Sequence, residues 1–190
     1  VLGPDHSDVA ISLDSLGDLY SRQGRYAEAQ TMAERGIALS ARAFGEVHPD
    51  VPFGLTILAS GMMREGRNAE AKVALEKALP LWEQTLPDHA DAARTLHCLA
   101  TVCQREGDYE AAERFFERSL ATMEASVGAG HSRLAEPLAE FASLRKEQGR
   151  VAEAIALFER ALVIKGATFA PDHPEIEEIR FELDSLRAGT

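Results

Sequence analysis

Apolar residues along the chain fall into two alternating kinds of stretch, both at helical spacing. One kind includes Val9, Leu13, Leu16 and Tyr20, or Leu96, Leu99 and Cys103. The other, as in Ala154, Phe158, Ala161 and Leu162, runs for about four turns. A short polar turn around Gly24, Gly66, Gly107 or Gly149 separates the first kind from the second. The pattern therefore predicts pairs of antiparallel helices, a first helix before each glycine and a second after it. Histidines mark the other boundary, since His6, His48, His89, His131 and His173 each precede a first helix. Two unrelated markers share one period: both histidines and glycines are spaced 42, 41 and 42 residues apart, and a fifth histidine follows after 42 more.

The predicted helix pairs occupy about 8–43, 50–85, 91–126 and 133–168, followed by a lone helix at about 174–187. A pair of helices cannot bury its apolar faces alone, so neighbouring pairs must stack. The last helix is more charged than the others, as a cap over the final apolar face would be. At the other end, Val1-Leu2-Gly3 reads as the end of a preceding second helix, which implies a piece cut from a longer array or protein.

The repeat carries a Leu-small pair in the first helix, at Leu16-Gly17, Leu58-Ala59 and Leu99-Ala100, with Phe141-Ala142 in the fourth. Second helices place Ala29, Ala71, Ala112 and Ala154 seven residues before Gly36, Ala78, Ser119 and Ala161. Small residues there let helix axes approach to the usual 8–10 Å or so. In these features the chain resembles the tetratricopeptide repeat family. The 42-residue period and the loops of the form Leu2-Gly-Pro-Asp-His6 resemble its kinesin light chain type. That resemblance implies an all-α fold, an α-α superhelix (a TPR solenoid) of four helix pairs plus a C-terminal capping helix, acting as one array.

Some positions depart from the repeat. Leu86-Pro87-Asp88-His89 lacks the glycine that Gly3, Gly45 and Gly128 supply, so this loop must leave its helix differently. Pro80 should bend its helix or end the regular part. Gly54 and Gly61 in one first helix each cost about 1 kcal/mol relative to Ala, which makes the second repeat the expected adaptable one.

Composition narrows the function. Thirty-one acidic against twenty basic residues give a net charge of −11, which argues against binding a phosphate backbone. No apolar run reaches a membrane span and no secretory signal is present, so the chain reads as soluble and cytoplasmic, with neither nucleic acid nor membrane as partner. Cys98 and Cys103 have neither metal-finger nor redox spacing, and they fall on different sides of one helix.

Asp5-His6-Ser7-Asp8 has the residue types of a hydrolase triad, yet only its histidine is constant across the five loops. Equivalent histidines in stacked repeats lie at least a helix diameter, roughly 10 Å, apart and cannot share one ion. Their expected role is to order the chain ahead of each first helix, beside Pro49, Pro174, Asp50 and Asp91. His97 and Cys98 are adjacent on a helix and point about 100° apart, so they do not make a nucleophile-base pair. With no phosphate loop, nucleophile elbow or His-Glu-x-x-His present, no enzymatic role, metal or cofactor is expected.

The family resemblance assigns the inner groove to first-helix residues at fixed offsets. These are Ile11, Asp14, Ser15, Asp18 and Arg22; Phe53, Thr56, Ile57, Ser60 and Arg64; Arg94, His97, Cys98, Thr101 and Arg105; and Glu136, Ala139, Glu140, Ser143 and Glu147. Where kinesin light chain repeats commonly place Asn-Asn, this chain has Asp14-Ser15, Thr56-Ile57, His97-Cys98 and Ala139-Glu140. Arg22, Arg64 and Arg105 recur at the period, so the expected groove is basic at its centre and acidic at both ends. It would bind an extended or helical peptide carrying acidic residues near its middle, through bidentate arginine pairs, unless those arginines are solvated or paired with neighbouring repeats. The alternative role is an assembly or regulatory segment of a larger signalling protein, working by self-association or by holding a neighbouring domain.

Overall fold

The computed structural model describes residues 7–188. Val1-Leu2-Gly3, Asp5-His6 and the side chains of Ser7, Asp8 and Arg22 lie outside the described residues. Among the described residues nine α-helices follow one another: α1 (Ser7–Arg22), α2 (Tyr26–Phe44), α3 (Asp50–Arg64), α4 (Asn68–Thr85), α5 (Ala90–Glu106), α6 (Tyr109–Val127), α7 (Ala135–Glu147), α8 (Val151–Gly166) and α9 (Pro174–Ala188). A short 3-10 turn, Ser132–Leu134, leads into α7, and no strand occurs among the described residues. The all-α superhelix is thus the observed fold.

The four glycine turns are built alike. Gly24, Gly66, Gly107 and Gly149 adopt φ between 74° and 80°, the left-handed region where a side chain is strained. The next residue's N–H then reaches back five residues: Arg25 to Tyr20, Arg67 to Met62 and Asp108 to Cys103 at 2.9 Å, Arg150 to Arg145 at 2.8 Å. These bonds satisfy carbonyls that the ending helix leaves open. At the start of each second helix Arg25, Arg67 and Arg150 pair with Glu28, Glu70 and Glu153, whereas Asp108 accepts the Ala111 N–H at 3.1 Å.

The periodic histidines do for first helices what glycine does for the turns. Nδ1 of His48, His89, His131 and His173 accepts the backbone N–H two residues on, at 3.4, 3.2, 3.2 and 3.3 Å. Three of the rings also stack on an aromatic side chain four or seven residues earlier, His48 on Phe44, His89 on Trp82 and His173 on Phe169. Each of these four histidines caps the start of the helix after it, and in three the stacked ring also ties that cap to the preceding chain.

Two local expectations need correction. Pro80 does not end its helix: α4 runs on to Thr85, with the ring on an exposed face. Gly54 is not a point of looseness, because a Cβ there would meet the Ile37 side chain at 2.6 Å and Asp14 Oδ1 at 3.3 Å. Glycine allows α3 to settle close against α1 and α2. The loop without glycine does turn differently, leaving α4 through Leu86 at φ −140° where Gly45 and Gly128 take φ 94° and 89°.

First helices approach each other, α1 to α3, α3 to α5 and α5 to α7, and no pair of second helices comes as close. The first helices therefore form the inner layer. Ala29, Ala71, Ala112 and Ala154 are buried where the helices cross, as are Gly36, Ala78, Ser119 and Ala161. The inner layer opens at one end: α9 seats Ile176, Ile179, Leu183 and Leu186 against the preceding helices but packs chiefly on α8, not on α7.

Candidate functional site

On the inner face, α1, α3, α5 and α7 enclose a central pocket of about 230 Å³. Asp18, Ser60, Arg64, Arg94, His97, Cys98, Thr101, Arg105 and Glu140 line it together with Met63 and Glu136. Phe53 lies just beneath, its ring centre 5.1 Å from the Arg94 guanidinium carbon. Ser143 and Glu147 line an adjoining depression beside Arg105 and Tyr109.

Other expected groove residues are packing residues. Asp14, Thr56 and Ile57 are 1%, 0% and 4% exposed, closed off by the neighbouring helices. The Thr56 hydroxyl lies 2.8 Å from the Pro52 carbonyl and 2.7 Å from the Thr95 hydroxyl and can donate to either, so it clips α3 to α5. Ile57 points toward α1 and α2, where it limits the space beside Gly17. Adjacent helical positions differ by about 100°, and the crossing angle decides which of two neighbours faces the groove.

The charge distribution also differs from expectation. Asp18, Glu136 and Glu140 share the central pocket with Arg64, Arg94 and Arg105, so the acidic and basic zones are not separated along the groove. The reason is scale: neighbouring helices sit about 10 Å apart, within the combined reach of Arg and Glu side chains. His97 Nε2 lies 3.0 Å from Glu140 Oε2, which also accepts the Thr101 hydroxyl at 2.6 Å. Burial would depress the imidazole pKa, but the hydrogen bond and charge of Glu140, aided by Glu136, raise it overall. Burial pushes the Glu140 carboxyl up, and the same His97 and Thr101 contacts bring it below its usual range.

The three arginines are not equivalent. Arg105 is committed, donating to the Met63 carbonyl at 3.0 Å and Asn68 Oδ1 at 3.2 Å. Arg64 is exposed and has no hydrogen bond or ion pair among the described residues. Arg94, stacked on Phe53, has its Nε and Nη2 shielded from solvent with no hydrogen-bond partner. Cys98 is buried beside Ser60, at 3.7 Å, and burial pushes its thiol up, away from the thiolate that nucleophilic chemistry uses. No group of three or more His, Cys, Asp or Glu able to hold a metal ion occurs among the described residues.

One buried charge escaped the sequence reading. Arg145 replaces Cys103 in the repeat and is 3% exposed, lying over the Phe141 ring at 4.4 Å. It reaches Glu113 at 2.6 Å and Glu117 at 3.2 Å, and with Arg150 it holds the Glu113 carboxyl down at about 2. The network joins α6 to α7 on the side away from the groove.

A tetratricopeptide repeat family profile matches residues 55–125 and 91–167, and a second tetratricopeptide profile matches 9–50. The chain belongs to the tetratricopeptide repeat family. No curated protein sequence matches it. Among solved structures, the array is similar to a kinesin light chain candidate with nearly identical TPR-like repeats from Podosopora anserina. The identity is 25% and the TM-score 0.75 over 96% of this chain and 87% of that one. A singly substituted form of the same protein matches at 24% identity and TM-score 0.75, covering 99% and 88%. BtubC (BKLC) from P. vanneervenii is similar in fold at 20% identity and TM-score 0.82, over 96% of this array and 73% of that chain. The array is thus of the kinesin light chain-like kind, a fold that generally serves as a scaffold for protein contacts. No helix among the described residues is long and apolar enough to cross a membrane.

Proposed function

We propose that the array binds, without catalysis, an extended or helical peptide segment of a partner protein along its inner face, in the cytoplasm. A carboxylate of the partner lies against Arg94 and Arg64. The observation that carries this reading is Arg94 itself: a guanidinium fixed on an aromatic ring, at the wall of a pocket, with two donors left unpaired. Those shielded donors leave the guanidinium charge without a compensating partner inside the chain, so a carboxylate arriving at the pocket wall meets an unneutralised cation. Arg105, tied to Met63 and Asn68, frames the pocket instead.

The test is binding of peptides from a display library to the chain and to Arg64→Glu plus Arg94→Glu, with circular dichroism as the folding control. Binding should fall by at least about tenfold, and peptides that bind both proteins equally would sink the reading. The second reading, self-association, draws on apolar side chains exposed at the two ends of the array, Ile11 at 58% and Leu19 at 48% on α1 and Phe181 at 73% on α9. Concentration-dependent light scattering that survives the double substitution, without peptide binding, would favour it.

A further inference from the structure

Beyond the central pocket, α7, α8 and α9 surround a second cavity of about 450 Å³. It exists because of what replaces Trp82. In the second repeat Trp82 fills the space between α4 and α5; the equivalent residue of the last repeat is Lys165, which turns to pair with Glu175. The space is left open, floored by Ala139, Phe158 and Ile179. At its rim stand Glu136 and Glu178, exposed carboxylates with no hydrogen bond or ion pair among the described residues. Glu136 and Glu140 line both this cavity and the central pocket, so the two adjoin at α7.

An apolar floor beneath unpaired carboxylates matches one kind of side chain. Lysine and arginine lay their methylene stems on apolar surface and keep the charged head at the rim. We infer that this cavity receives a lysine or arginine of the same segment that places its carboxylate at Arg94, so that the partner peptide is bipolar. This rests on the groove reading above and adds a second anchor and a direction to it. The anchors are separated by one to one and a half helix spacings, roughly 10–15 Å. At about 3.3 Å per residue an extended chain covers that distance in three to five residues. Opposite charges at the two anchors oppose the reversed orientation, because it would set like charges together.

The experiment is selection of a random-peptide display library on the whole chain, on Arg94→Glu and on Glu178→Lys, since Glu178 lines the second cavity and not the central pocket. Enriched peptides should share an acidic and a basic residue, in one order, three to five positions apart. Against Glu178→Lys the basic preference should vanish and the acidic one remain. A selected peptide should bind that variant roughly tenfold more weakly. Replacing the peptide's basic residue by Met should cost about the same on the unaltered chain and nothing further on the variant. Peptides that keep only the acidic preference, indifferent to Glu178→Lys, overturn the bipolar partner and leave the groove reading standing. No enrichment, or enrichment indifferent to Arg94→Glu, overturns both. Unchanged thermal melts of the variants exclude misfolding, and a shifted melt moves the test to Glu178→Gln, which removes one rim charge.

Discussion

The space beneath the groove between the first and second repeats and its counterpart between the second and third are the same slot, filled in opposite ways. Between repeats two and three, Trp82 is 2% exposed and donates its indole N–H to Thr95 Oγ1 at 2.9 Å, while Thr95 meets Thr56 at 2.7 Å. Between repeats one and two the corresponding residues are Ser40, Gly54 and Asp14. Asp14 Oδ1 and Ser40 Oγ are both buried without a hydrogen-bond partner. Asp14 occupies its site because Gly36 and Gly54 leave room: a Cβ on Gly36 would approach Oδ1 to 2.5 Å. One slot is packed and satisfied; the other holds a carboxyl with little to bond to. A repeat architecture keeps the backbone geometry constant and lets each interface differ in what fills it.

The largest test of the contrast is Trp82→Ala, which would make the filled slot a void. A buried aromatic cut to alanine costs about 3–5 kcal/mol, measurable as a lower urea midpoint followed by circular dichroism. Because α4 and α5 carry the centre of the array, the transition should broaden as the two halves uncouple. A loss below about 1 kcal/mol would mean that the slot collapses around the missing ring and that the contrast is only geometric.

The second test uses pH. Burial first, then the nearby Asp50 charge, push the Asp14 carboxyl from 3.8 to about 7, with Arg94 pulling it down in part. The unfolded chain ionises this group near pH 4, whereas the folded chain holds the proton until about pH 7. Its contribution is therefore fully present below about pH 4 and is lost as pH rises through about 7. Urea unfolding of the chain and of Asp14→Asn should diverge over that window, with the unsubstituted chain losing up to about 4 kcal/mol relative to the variant. Parallel profiles from pH 4 to 8 would show that water or Arg94 satisfies the carboxylate.

The period, the helix pairs and the turns were legible because their markers act on local backbone. A glycine with φ near 77° at each turn, and a histidine whose Nδ1 caps the N–H two residues on at each of the four described loops, leave the same imprint along the chain. Most of the groove lining was legible for the same reason, as fixed offsets along a repeated helix. Burial at Asp14, Thr56 and Ile57 was not, since it depends on how closely α3 settles against its neighbours, and that depends on Gly36 and Gly54. Nor was the fate of each charge: Arg64 and Arg105 stand at one repeat offset, and Arg94 reads along the chain as one more groove arginine beside them. Only the fold shows that Arg105 is bonded to Met63 and Asn68 while Arg94 is held on Phe53. Arg145 had no signal of its own, because its carboxylate partners come from α6 and α8, on two other helices.

The smallest test separates the hydroxyls of the filled slot. Thr95 donates to the Asp91 carbonyl at 3.2 Å, which leaves its oxygen free to accept from Trp82 and from Thr56. Thr56 has a second acceptor in the Pro52 carbonyl at 2.8 Å, but the Trp82 N–H has no acceptor besides Thr95 among the described residues. Thr95→Val preserves shape and strands the indole donor, so it should cost about 1–2 kcal/mol. Thr56→Val strands nothing, because Thr95 keeps its own bond to Asp91, and should cost under about 1 kcal/mol. In a Trp82→Phe background the donor is gone, and Thr95→Val should then become close to neutral, giving a coupling of about 1 kcal/mol in the double-mutant cycle. Strict additivity would place the energy of this slot in ring packing alone, and the unpaired Asp14 and Ser40 of the first slot would then weigh less than their burial implies.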